Sequence, residues 1–77
     1  MQDGTVTEID ARGLLCPLPV LRLRKGLARL APGDRVLILA DDPMAAIDIP
    51  HFCTEAGHVL ETQATSSDGL RFLVRHG

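Results

Sequence analysis

The 77-residue chain has no tryptophan and no tyrosine, and Phe52 and Phe72 are its only aromatic carbocycles. A surface that stacks bases is therefore excluded. A formal net charge of −2 also removes the basic coat that tight nucleic-acid binding needs, so no strong direct contact with nucleic acid is expected. Two cysteines are too few for a disulfide scaffold of the secreted kind. No apolar run approaches the roughly 20 residues of a bilayer span, and no basic-then-apolar leader opens the sequence. These absences predict a soluble cytoplasmic protein with reduced thiols and no membrane partner.

A chain this short buries only about 60% of its extended surface, which leaves no room for a large enclosed active site. A single domain over residues 1–77 is expected, with residues 1–4 frayed, and chemistry belongs on its surface. The charge is uneven. Residues 1–33 carry five basic and three acidic side chains, whereas residues 34–77 carry three basic and seven acidic. The first helical region is thus a local positive surface on an acidic body.

Thr5 to Asp10 reads as a short strand with an irregular start, and Arg12 to Pro17 as a turn bent at Gly13. Leu18 to Leu30 has helical period: Val20, Leu23, Leu27 and Leu30 share one arc, and Arg22, Lys25 and Arg29 share the opposite one. Ala31 to Asp34 breaks that helix, and Val36 to Ala40 is apolar enough for a central strand. A second helix is expected from Met44 to Ala56, kinked or divided by Pro50, with Ile49, Phe52, Cys53 and Ala56 along its buried face. Gly57 closes it. His58 to Thr62 and Leu70 to Arg75 read as antiparallel strands joined through Thr65 to Gly69. The order β-α-β-α-β-β predicts an α/β two-layer sandwich, a mixed four-stranded sheet with two helices on one face. Edge strands are not identifiable from these patterns.

Cys16 stands directly before Pro17, with Leu18, Pro19 and Val20 opening the helix. First-turn amides lack intrahelical acceptors, and the helix dipole places partial positive charge there. Both favour an anionic sulfur, and the two prolines leave Leu18 and Val20 as the nearest amide donors. A small buried side chain beneath the turn is the competing reading of Cys16. Cys53, on the apolar face, is expected in the core. No second cysteine two residues from Cys16 supports a local redox couple. Cys16, Cys53, His51 and His58 match no common zinc spacing, and no metal is expected; the three histidines are read as structural or solvent-facing. Asp41, Asp42 and Pro43 follow the central strand. They either cap the next helix or shape the surroundings of Cys16 on the same rim of the sheet, where their charge opposes a thiolate.

The run Leu14-Leu15-Cys16-Pro17-Leu18-Pro19 resembles the Cys-Pro-x-Pro signature of the TusA/SirA-like sulfur-carrier family. Asp10 and Gly13, Gly33 and Asp34, Asp41 to Pro43, and Asp48, Ile49, Pro50, Phe52, Cys53, Gly57 and His58 continue the likeness over nearly the whole chain, which is most similar to the TusA branch. The resemblance implies that Cys16 takes sulfane sulfur as a persulfide from a cysteine desulfurase or other sulfurtransferase. It then passes the sulfur to a DsrE-family or other relay protein, with no cofactor beyond that transient persulfide. tRNA 2-thiouridine synthesis is the family's better-known destination; oxidation of reduced sulfur compounds and molybdenum-cofactor synthesis are others. Arg22, Lys25 and Arg29 would then dock an acidic partner. A regulatory module that uses the same basic face to bind protein or nucleic acid is the reading of another class.

Overall fold

The computed structural model describes residues 6–77; the fraying expected of residues 1–4 falls outside them. Six elements follow in chain order: β1 (Val6–Asp10), α1 (Leu18–Leu27), β2 (Arg35–Ala40), α2 (Ala45–Ala56), β3 (Val59–Ser66) and β4 (Gly69–Arg75). The sheet order is β1-β2-β4-β3, with β1 parallel to β2 and the other two pairs antiparallel. This is the expected α/β arrangement, and it assigns the edges to β1 and β3.

Alternation along β2 builds the core. Val36, Ile38 and Ala40 are buried on the helical side, and Phe72 and Val74 of β4 join them. Leu23 and Leu27 of α1 and Ala45, Ile49, Phe52 and Cys53 of α2 close over that face, with Ala11 at the rim. Burying a side chain of this size contributes about 1.5–3 kcal/mol.

Five local expectations need correction. The first helix ends at Leu27, because the Arg29 and Leu30 amides turn back to the Gly26 and Leu27 carbonyls at 3.2 and 3.0 Å and Pro32 prevents continuation. Of the predicted arc, Leu23 and Leu27 are buried while Val20 and Leu30 only flank the core, and Pro19 is buried in their place. Pro50 does not divide α2, which is continuous from Ala45 to Ala56. Packed residues on both sides of the proline, Ala45 and Ile49 before it and Phe52 and Cys53 after, override one missing helical bond. Ala56 is exposed rather than part of that face.

The fifth correction concerns β3, which runs on to Ser66, where the sequence reads as turn. Almost all of it is exposed, so no apolar alternation marks its length; pairing with β4 from Val59↔Arg75 to Ser66↔Gly69 defines it instead. Ser67 and Asp68 alone make the hairpin loop. Gly69 has φ 120°, and a Cβ there would stand 2.6 Å from the Ala40 carbonyl oxygen at the end of β2. Gly69→Ala is accordingly expected to cost about 1–3 kcal/mol, from backbone strain and the displaced β2 carbonyl. Urea denaturation measures this, and an unchanged midpoint contradicts it.

Candidate functional site

Because β1 and β2 run parallel, their carboxyl ends open on one rim, and the loops that leave them meet there. The Ala11 amide carries the pairing one step beyond β1, donating to the Leu39 carbonyl at 2.8 Å. Consecutive carboxylates at the exit of β2 then hold the loop leaving β1. Asp41 accepts the Gly13 amide at 3.0 and 3.1 Å on its two oxygens. Asp42 accepts the Cys16 amide at 2.7 Å on one oxygen and the Met44 amide at 3.1 Å on the other. Those two amide bonds hold the Asp42 carboxyl below its ordinary pKa of 3.8. Neither aspartate side chain caps α2, whose N-terminus carries no side-chain cap; both instead take amides of the loop that holds Cys16. Pro43 lies ahead of α2 rather than inside it, its carbonyl accepting the Ala46 amide at 3.1 Å.

Beside this clamp Arg12 folds back on Asp10 through a two-pronged pair of 2.9 Å contacts, which lowers the Asp10 carboxyl to about 2. The Cys16–Pro17 peptide is cis. Cys16 is exposed, which excludes the buried reading, and Cys53 is buried in the core as expected. Burial alone raises the Cys53 thiol.

The electrostatics at Cys16 reverse the expectation from its place before a helix. Its Sγ donates to Asp48 Oδ2 at 2.7 Å. The thiol is pushed above its ordinary pKa, first by that hydrogen bond, then by desolvation, then by the charges of Asp48 and Asp42. The Leu18 amide, expected to face the sulfur, donates instead to the Leu15 carbonyl at 2.8 Å. No acidic side chain or side-chain cap occupies the first turn of α1, so the acids that reach the sulfur come from across the site, on and before α2.

Cys16 opens into a shallow cleft of about 400 Å³ between the helices, lined by Pro17, Val20 and Arg24 from one side and Asp48, His51, Phe52 and Glu55 from the other. The Arg24 guanidinium carbon lies 5.5 Å from the centre of the Phe52 ring. Asp48, Arg24, His51 and Glu55 were not singled out as site residues. A signal existed: Asp48, His51 and Glu55 at i, i+3 and i+7 form the polar stripe of α2, and Val20 and Arg24 are an i, i+4 pair on α1. Arg22, Lys25 and Arg29 do not reach this cleft. Arg22 and Lys25, on the other flank of α1, and Arg29, in the turn after it, are exposed beside a groove along Thr7 to Asp10 of the edge strand. Leu15, the residue before Cys16, is 70% exposed.

The site is thus an exposed cysteine ahead of a helix, its amide held by Asp42 and its thiol by Asp48. The family profile described as Sulfurtransferase TusA matches residues 7–76. The chain belongs to the TusA sulfurtransferase family. It is also similar to the crystal structure of a SirA-like protein from Desulfitobacterium hafniense, with 28% identity, 92% of this chain and 95% of that one covered, and a TM-score of 0.76. A role as a sulfur carrier between donor and acceptor proteins follows from TusA-family membership. Among the described residues of this TusA-family chain no helix is long and apolar enough to cross a membrane. Among the described residues no group of three or more His, Cys, Asp or Glu side chains gathers as a metal site.

The Asp42 clamp has a pH signature. A carboxyl lowered on folding stabilises the native loop above its unfolded value of 3.8, and that contribution is lost as pH falls through the folded value below it. The Cys16 and Met44 amide resonances should therefore titrate together by NMR with a midpoint under 3.8. A midpoint at or above 3.8, or two independent midpoints, contradicts the clamp.

Proposed function

We propose that this TusA-family chain carries sulfane sulfur as a persulfide on Cys16, working in the cytoplasm between a cysteine desulfurase or other sulfurtransferase and a DsrE-family or other relay protein. The observation that carries this reading is the exposure of Cys16 at the mouth of the interhelical cleft, while Cys53 is sealed in the core. A carrier needs its sulfur to reach two different active sites in turn. The tie of the Cys16 amide to Asp42 supports such a presentation, since it sets where the sulfur stands.

Loading is a sulfur transfer with no net redox change. The Cys16 sulfur attacks the terminal sulfur of the donor's persulfide; a new S–S bond forms at Cys16, and the donor's own S–S bond breaks. The donor sulfur departs as a thiolate and takes up the proton that Cys16 gave up. Delivery repeats the exchange, with the acceptor's cysteine attacking the terminal sulfur on Cys16. The chain's contribution is alignment and exposure of one atom.

tRNA 2-thiouridine synthesis is the destination proposed because it is the better-known one of the family; the Cys16 and Asp41 to Pro43 segments fit every destination of the family alike. Pro17, Leu18, Pro19, Val20, Asp41, Asp42 and Pro43 support the site in this reading. Arg22, Lys25 and Arg29 are proposed to dock an acidic partner, and their shared exposure beside the groove along β1 supports it.

Incubation with a cysteine desulfurase and cysteine, followed by intact mass measurement, tests the carrier reading. A thiol-reversible gain of one sulfur is expected in the wild type and in Cys53→Ala, and none in Cys16→Ala, which should fold normally because an exposed thiol contributes little to packing. Absence of the adduct from wild type, or its persistence in Cys16→Ala, contradicts the reading. Changing Arg22, Lys25 and Arg29 to Glu should weaken donor or acceptor affinity at least several-fold, more at low salt, without changing Cys16 alkylation. Unchanged affinity for both partners removes the docking role.

A further inference from the structure

A cysteine built to be a free-standing nucleophile stands beside a cation or bare helix amides, which favour the thiolate. Cys16 has the opposite surroundings. Its sulfur is hydrogen-bonded to Asp48 on α2, and Asp42, in the loop before α2, adds a second negative charge. From α1 the nearest cleft cation is Arg24, engaged over the Phe52 ring, and His51 and Glu55 of α2 complete the titratable lining. Asp41 is turned to the Gly13 amide. The contact from Cys16 Sγ to Asp48 exists only while the sulfur keeps its proton, because two anions share no hydrogen bond. Main-chain geometry makes this contact a fixed feature: the Cys16 amide is held at 2.7 Å by Asp42, and the Asp48 amide is locked in the first turn of α2 by the Met44 carbonyl at 2.8 Å.

Resting on the carrier reading above, we propose that Asp48 is a positioning residue that keeps Cys16 as a protonated, hydrogen-bonded thiol in the free protein, so that small electrophiles, oxidants and inorganic polysulfide meet little thiolate. The protein thereby limits adventitious modification of the one sulfur it must keep available. Asp48 does not touch the transferred sulfur in this account; it acts through the protonation state of Cys16.

The test is the pH profile of iodoacetamide alkylation at Cys16, in which the new C–S bond displaces iodide and the thiol proton passes to solvent. Asp48→Asn removes the charge at nearly constant shape. For each unit by which the thiol pKa falls, the thiolate fraction at neutral pH rises about tenfold and its intrinsic nucleophilicity drops roughly threefold, leaving a net gain of about threefold. The variant should therefore react faster than wild type at pH 7, slower at strongly alkaline pH, and show an inflection displaced to lower pH. Loading from sodium polysulfide, in which the Cys16 sulfur attacks a terminal sulfur of the polysulfide chain, an S–S bond of that chain breaks and the shortened polysulfide leaves, should also rise at pH 7. Asp48→Glu, which keeps the carboxylate, should return the inflection toward wild type, and Asp48→Ala is read in the same way if the Asn variant melts early.

Superimposable profiles overturn the proposal. So does a variant faster at every pH, since lost steric cover accelerates the reaction without a crossing. Donor-dependent loading of the same wild-type sample separates the two levels of the argument. Sulfur on Cys16 with no shift of the profile rejects only the assignment to Asp48, whereas no sulfur on Cys16 rejects the carrier reading itself.

Discussion

Everything at the functional rim depends on two adjacent carboxylates meeting the main chain of a segment more than two dozen residues earlier. Asp41 and Asp42 leave β2 and take the amides of Gly13 and Cys16 from the loop that leaves β1. Parallel pairing of the two strands makes the meeting possible, because it brings both carboxyl ends to one edge. Hydrogen bonds from amides to ionised acceptors are shorter and stronger than neutral ones. Their consequence here is positional: they fix where the sulfur of residue 16 stands.

The small size of the domain shapes the rest. Its core has one layer of side chains between sheet and helices, built on Val36, Ile38, Phe72 and Val74 against Leu23 and Ile49. Such a body has no interior to spare for chemistry. A surface thiol that visits the active sites of larger proteins is a function that fits this constraint, and TusA-family membership names it as sulfur transfer.

The elements that bury a face were legible in the sequence. The Val36 to Ala40 run, bounded by Gly33-Asp34 and Asp41-Asp42-Pro43, placed β2, and the spacing of Leu23 and Leu27 placed α1. Elements that bury little were not: β3 is longer than its pattern because tertiary pairing with β4, rather than an apolar face, defines it. The site divides along the same line. Cys16 and the Asp41-Asp42 pair are local motifs and were found. Asp48 was missed as a partner because its contact with Cys16 spans 32 residues and depends on how α2 is set beside α1. With it the sign of the electrostatics was missed, since position before a helix argues for an anion and a carboxylate at 2.7 Å argues against one.

The central claim is that sulfur passes through residue 16 on its way between two other proteins. Rapid-quench chase of radiolabelled sulfur from a persulfidated donor, with carrier and acceptor both present, follows that atom directly. The account predicts label on the peptide containing Cys16 that rises first and then decays no slower than the acceptor gains it. Label reaching the acceptor at full rate without passing through that peptide would contradict it.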